Sequence, residues 1–434
     1  MKLHLGKERV IVQGIRPEEK LWGPYQFPQS FDLGDRLAVS VHVENDNIKT
    51  FGLPQRWFES RDDGLTWQEV DPSVSGECGL KLPNGDRIYF PPESGIDLSE
   101  YKFTHYHKLT PGYDFSKQAE EGTLPVQDGV TAWFSGTVIR GYNADRLPPS
   151  LAKKEWKICR LKAGKPESVI EYATLDWPML TRVVHQDKGK APILKPIYPK
   201  GKPRIGPDGA IWITCYSGEG HLDPQTGRYS PYYSAQIFRS EDMGKSFSLY
   251  ANMEYPADGS ETYPYQSGGF SDSDIAFLED GSMVWFLRSA WMASTGYEWS
   301  PMYMARSEDL GKTWSKPIPW APVGVFPRTC RLGCGATLVC YARPGIYVRG
   351  TMDPKGIDWC EPLEVMTNGD RSALANIKIE DPVFHEWDGA GNNPTILATG
   401  ENTALLFYSD FYYPDSEGVK RKSILCRRIT VEKD

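Results

Sequence analysis

Carboxylates and guanidinium groups recur in this 434-residue chain just ahead of a repeated hairpin-like unit: Glu77, Arg204, the neighbours Asp272 and Asp274, and Arg328. If those units are arranged around an axis, side chains at equivalent places converge on it and form one mixed cluster of both charges. Paired carboxylates suit glycoside hydrolysis, one protonated to assist the leaving oxygen and one ionised as base or nucleophile. Guanidinium groups hold acidic sugars by charge-assisted bonds. A second set of aspartates, Asp62, Asp242 and Asp309, lies inside a repeated octamer and reads as structural. The seven histidines are scattered and the eight cysteines match no zinc spacing, so no metal or other cofactor is expected. Calcium sites built from loop oxygens leave little sequence signature.

The unit that must position these residues occurs six times, at 33–39, 82–90, 205–213, 278–286, 332–340 and 397–407. Each copy is an apolar residue, a small turn carrying Gly, and a strand-like apolar run, as in Leu278-Glu279-Asp280-Gly281-Ser282-Met283-Val284-Trp285-Phe286. Runs of this kind bounded by turn residues suit strands buried on both faces, such as the inner strands of propeller blades. Copies are mostly roughly fifty to seventy residues apart, one four-stranded blade plus loops. The second interval is longer, so Val130 to Ile139, Trp156 to Leu161 and Val169 to Leu175 read as the rest of blade two, with an insertion at about 98–127. That insertion carries Tyr101, His105, Tyr106, His107 and Tyr113, and long loops on rigid scaffolds often carry function. A strand over Arg9–Gln13 and one over Ser423–Ile429 are expected to share the last blade and close the ring. The expectation is one domain over 1–434, all-β, a six-bladed β-propeller with four-stranded antiparallel blades.

Composition agrees: 14 Trp, 23 Tyr and 17 Phe with 41 Gly and 34 Pro favour many short strands joined by turns. A net charge of −8 argues against a nucleic-acid partner, which would need clustered Lys and Arg. There is no long apolar run for a membrane, and the N-terminus lacks the apolar core of a secretory signal. The chain as it stands is therefore expected in the cytoplasm, or in the periplasm or medium if a signal has been removed. Oligomeric state is not legible.

The octamer has the form Ser/Thr-x-Asp-x-Gly-x-Thr/Ser-aromatic and occurs at Ser60–Trp67, Ser240–Phe247 and Ser307–Trp314, with a looser copy at Thr351–Trp359. Its Asp and Ser can bond their own backbone, its Gly supplies φ > 0 and its aromatic anchors the turn. Alternating with the hairpin units, these octamers resemble the Asp-box (BNR-repeat) sialidase superfamily over most of the chain. The resemblance implies a six-bladed propeller with Asp boxes on one face and a glycan pocket on the other. In sialidases an arginine triad holds the substrate carboxylate, a Glu-activated Tyr is the nucleophile and an Asp is the acid/base.

Carried over position by position, the resemblance places Asp272 where the family has a Glu and Arg288 where it has a triad arginine, with Asp274 competing for the carboxylate role. The shorter side chain moves the carboxylate by about 1.5 Å. In blade one the first triad arginine is replaced by Gln26, next to Tyr25, and Gln cannot offer a charged bidentate fork. The loop where the family places its acid/base Asp offers Glu44 and Asp46. In blade five Arg328 and Arg343 lie at opposite ends of a hairpin, and either suits a triad place. The nucleophilic Tyr position of blade six reads Asn392-Asn393-Pro394-Thr395, with no phenol. The pocket is thus expected to be lined by Gln26, Glu77, Arg204, Asp272, Asp274, Arg328 and Asn393, with Arg288, Arg343, Tyr25 and Trp22 close by. An exo-acting glycoside hydrolase with a carbohydrate substrate leads, with Asp272 or Asp274 and Asp46 or Glu44 as its working pair. A uronate lyase using His42, His107 or His185, and a non-catalytic glycan-binding propeller, are the other readings.

Overall fold

A computed structural model describes the chain except 15–23, 46–47, 51, 102–128, 131–136, 179, 188, 198, 218–220, 223, 225–228, 231, 257–268, 291–300, 323, 343–344, 367–392 and 434. The described residues are all-β, with antiparallel sheets of four strands as the recurring unit. The first sheet is Gln26–Asp32, Leu37–His42, Arg56–Ser60 and Gln68–Val70, the fourth is Gly269–Phe277, Met283–Ala290, Met302–Ser307 and Ile318–Ala321, and the fifth is Val325–Arg331, Thr337–Ala342, Ile346–Thr351 and Leu363–Met366. The second (Leu80–Lys81, Arg87–Tyr89, Glu155–Leu161, Ser168–Asp176) and third (Arg204–Ile205, Ile211–Tyr216, Ala235–Ser240, Ser246–Met253) are joined at their outer strands by a parallel pairing, Thr174 opposite Ser246. In the sixth, Thr395–Ala398, Thr403–Pro414 and Lys420–Glu432 are completed by the N-terminal strands Lys2–Leu5 and Arg9–Gln13, both paired with Lys420–Glu432. Chain ends sharing one sheet cover each other's unpaired backbone edges.

The second strand of each sheet explains the apolar runs. Every residue of Leu37–His42 and of Thr337–Ala342 is buried, because neighbouring sheets lie against both faces. Apolar clusters fill each gap: Trp57 and Tyr89 between first and second, Trp156, Phe238 and Phe247 between second and third, Trp212 and Trp285 between third and fourth. Phe286 and Tyr341 fill the next gap, Cys340, Leu406 and Leu425 the one after, and Val39, Phe58 and Phe407 join sixth to first. Each such side chain contributes about 1.5–3 kcal/mol of burial.

One expectation is corrected. Glu155–Leu161 and Ser168–Asp176 do complete the second sheet, but the strand-like piece from Val130 to Ile139 does not. Gly129–Val130 and Thr137–Asn143 join Thr181–Asp187, Ile193–Leu194 and Ile96–Asp97 in a separate five-stranded sheet. Apolar alternation marks a strand but does not name its partner, which here lies about forty residues further along the chain. Most of the expected loop insertion, including His105, Tyr106, His107 and Tyr113, falls outside the described residues.

The repeated octamers close the outer hairpins by one local network. Ser307 Oγ donates to Asp309 Oδ1 (2.8 Å) and accepts from Gly311 N (2.8 Å), while Thr313 donates its backbone N–H to Oδ1 (2.8 Å) and its hydroxyl to Oδ2 (2.6 Å). The turns at Ser60 and Ser240 repeat it bond for bond. Leu310 and Gly311 both take positive φ (56° and 75°), the second at the glycine. Hydrogen bonds led by the Thr313 hydroxyl pull the Asp309 carboxyl down to about 2, and Asp62 is lowered likewise by Thr66. Asp309→Ala is expected to lower Tm by on the order of 3 °C in a thermal melt, because the turn loses its acceptor but the sheet stays covered.

Candidate functional site

The first strands of the first, fourth and fifth sheets share an irregular start. Register shifts fall between Gln26 and Gln29, between Phe270 and Ser273, and between Val325 and Arg328. In the first and fifth a Phe-Pro step makes the bulge: Phe27 and Phe326 take φ of 52° and 53°, and the proline that follows has no N–H for the interrupted ladder to leave unpaired. Such bulges turn side chains out of the sheet plane. Asp272 lies within its shift, while Gln26 and Arg328 flank theirs.

Asp274 is a structural tether. Its side chain is 1% exposed, both carboxylate oxygens accept from Arg204 Nη2 (2.8 Å each), and Oδ2 also accepts from Thr329 N (2.7 Å). Arg204 Nη1 donates to Thr329 Oγ1 (2.9 Å), so third, fourth and fifth sheets are tied at one point. Asp272 is differently placed. Its Oδ2 accepts from Arg288 Nη1 (2.6 Å), while Oδ1 has no hydrogen bond among the described residues. Both side chains of that pair reach solvent, at 12% and 18% exposure.

Arg328 is spent on backbone carbonyls. It donates to Pro327 O (2.8 Å) and Lys200 O (2.7 Å), and its guanidinium stacks 3.8 Å from the Phe326 ring centroid. Burial lowers the Arg328 guanidinium, and desolvation also lowers Lys202, with the Arg204 and Arg328 charges adding to it. Arg204, Arg288 and Arg328 are three guanidinium groups against two carboxylates, Asp272 and Asp274, in a chain of net charge −8, with the Lys202 amine beside them. Such a cluster attracts anionic groups.

The expected residues are thus brought together in part. Arg204, Asp272, Asp274, Arg288 and Arg328 form the cluster. Gln26 is fully buried with neither amide atom partnered among the described residues, and Asn393 is 5% exposed at φ 70°, but no hydrogen bond links either to the cluster. Glu77 is elsewhere: it ends the short helix Pro72–Glu77, half exposed, and accepts from Arg36 Nη2 (2.7 Å) beside the Leu33–Arg36 turn at the opposite end of the first sheet from Gln26. Tyr25 is a core residue of the seam between sixth and first sheets, also at positive φ (54°). Glu44 is exposed, and Asp46, Arg343 and Trp22 lie outside the described residues. His42 is buried with its ring 5.8 Å from Phe27, and burial lowers its imidazole. Lys202 and Thr329 were not anticipated, though the run Lys200-Gly201-Lys202-Pro203-Arg204 carries a readable alternation of cations.

The tyrosines after the last inner hairpin serve another cluster. Tyr408 donates its phenol to Glu8 Oε2 (2.7 Å). Burial pushes the neighbouring Asp410 carboxyl up to about 6, against the Tyr412 N–H that lowers it and with the Glu8 charge adding to the rise. A raised carboxyl costs nothing below pH 4, where it is protonated folded or unfolded. The cost grows from pH 4 to 6 and persists above. Asp410→Asn is therefore expected to gain about 2 kcal/mol at pH 8 and nothing near pH 4, measured by denaturant unfolding at both pH values.

No protein-family profile and no curated protein matches the chain. Among solved structures it is similar to a protein of unknown function from Dyadobacter fermentans, with 15% identity over 99% of both chains and a TM-score of 0.50. It also aligns with an α-L-arabinofuranosidase of Fusarium graminearum solved with an iminosugar inhibitor (12% identity, 96% of this chain and 97% of that one, TM-score 0.44). The NanB sialidase of Streptococcus pneumoniae aligns at 12% identity over 98% of this chain and 70% of its own, with a TM-score of 0.42. The likeness to the Dyadobacter fermentans protein, at 15% identity, is one of fold.

Proposed function

We propose that the chain is an exo-acting glycoside hydrolase built as one six-bladed, sialidase-like propeller over 1–434, the six sheets being its blades and the octamers its Asp boxes. The observation that carries this is the Asp272–Arg288 pair: a carboxylate at a bulged strand start, held on one oxygen and open on the other, amid a net-positive cluster. A carboxylate so held suits a base or nucleophile, and Arg288 and Lys202 offer donors to a polar or acidic sugar. Asp274, with its oxygens engaged, keeps the scaffold together and is not the working group. The second carboxylate belongs to the loop after Leu37–His42, where Glu44 and Asp46 lie. With no phenol at the Asn393 position and Tyr408 fully buried, the chemistry does not pass through a tyrosyl intermediate at these residues. The buried, unpartnered Gln26 amide favours a second reading, a glycan-binding propeller without turnover.

The deciding experiment incubates the protein with sialylated, uronic-acid and neutral oligosaccharides and reads the products by mass spectrometry and ultraviolet absorbance. A released terminal sugar supports the hydrolase. A product with a new double bond identifies a lyase, and measurable affinity without product identifies a binding module.

A further inference from the structure

Arg182 has no use in the site above. It lies in Thr181–Asp187 of the separate five-stranded sheet, opposite Tyr142, and is 2% exposed. Among the described residues its side chain makes no hydrogen bond or ion pair, and its buried Nε has no partner. Glu93 acts on it only through space, while burial pushes the guanidinium down to about 10. A buried, uncompensated charge is costly to a fold, so its counter-charge is expected to come from outside the chain.

Arg182 lines a cleft between that sheet and the third sheet, with Trp177, Lys195, Lys200, Tyr216 and Ser217. The cleft is open at its mouth, and its empty space, open solvent included, is about 420 Å³. Lys195 and Lys200 each hold Nζ 5.7 Å from the Tyr216 ring centroid, and no Asp or Glu is among the described lining residues. The cleft borders the Asp272 cluster, because the carbonyl of Lys200 is the one that accepts from Arg328.

We propose that this cleft is a subsite for an acidic sugar unit, its carboxylate or sulfate on Arg182 flanked by Lys195 and Lys200, and its ring against Tyr216 and Trp177. The proposal rests on the reading of the chain as a glycan-acting propeller and names the substrate class: an anionic glycan whose charged unit sits off the axis, beside the bond to be cut. It also gives the separate sheet a role, since Arg182 comes from that sheet and the ring of six lacks it.

The test is calorimetric titration with methyl glucuronide, methyl glucoside 6-sulfate and neutral methyl glucoside, which separates carboxylate from sulfate and both from the bare ring. The wild type is expected to bind one or both anionic probes at least about tenfold more tightly than the neutral one, the worth of a charged hydrogen bond. Arg182→Gln is expected to lose that preference while melting no lower than the wild type, since it removes an unpartnered buried charge. Lys195→Met, nearer the surface, is the second variant and is expected to weaken the preference. Equal preference in wild type and both variants overturns the proposal. Loss in Arg288→Gln with retention in Arg182→Gln places the anion on the axis, which overturns the subsite and leaves the hydrolase reading standing. A wild type that binds all three probes alike also overturns it, whereas failure of the hydrolase reading appears separately as absence of product from every oligosaccharide.

Discussion

Asp272→Asn is expected to leave the protein folded and to lower kcat for release of a terminal sugar by on the order of 10³-fold, the usual worth of a positioned acid–base or nucleophilic group. The amide is nearly isosteric and its oxygen can still accept from Arg288, so the partly exposed pair is weakened rather than broken. What is lost is the carboxylate oxygen that makes no hydrogen bond among the described residues. The measurement is kcat and KM on the best oligosaccharide from the panel, beside a thermal melt. A kcat within tenfold of wild type, with the fold intact, would remove Asp272 from the chemistry. A large loss in KM alone would make it a binding group.

The neighbouring substitution should behave in the opposite way. Asp274→Ala is expected to destabilise the fold by about 3–5 kcal/mol, because it strands Arg204 without its counter-charge and leaves Thr329 N without an acceptor at a point where three sheets meet. Denaturant unfolding measures this directly. The double variant Arg204→Met with Asp274→Leu is expected to recover much of the loss, since removing both charges is milder than leaving one. If Asp274→Ala instead unfolds like the wild type, the tether is not what holds these strand starts in register. Together the two substitutions assign different work to carboxylates two residues apart.

That difference was not legible in the residues themselves. Asp272 and Asp274 are the same type two residues apart ahead of one hairpin, and alternation along a strand would put both on one face. The register shift between Phe270 and Ser273 breaks that alternation, and the partners that distinguish them, Arg204 and Thr329, are 70 and 55 residues away. Glu77 was misplaced for a related reason: its position ahead of a hairpin matched the others, but Arg36, 41 residues earlier, holds it at the other end of the first sheet. Arg182 carried no signal, since a lone arginine in a strand looks like any exposed cation until its burial is known.

Features that depend on contacts a few residues apart could be read directly from the order of residues. The Ser-x-Asp-x-Gly turns close on atoms two to four residues away, and the Gly-bearing turn of each hairpin bonds within itself, as Leu278 N to Ser282 O and Leu332 N to Ala336 O show. The apolar runs of Leu37–His42 and Thr337–Ala342 likewise announced strands covered on both faces. Which strands left the second sheet for a separate one, which carboxylate was fully engaged, and where a buried cation stood without a partner among the described residues emerged only from the folded chain. Local hydrogen bonding and burial period are written into neighbouring residues, whereas strand partners and ion-pair partners are chosen among distant segments with similar propensities. The choice falls to the packing of the whole chain.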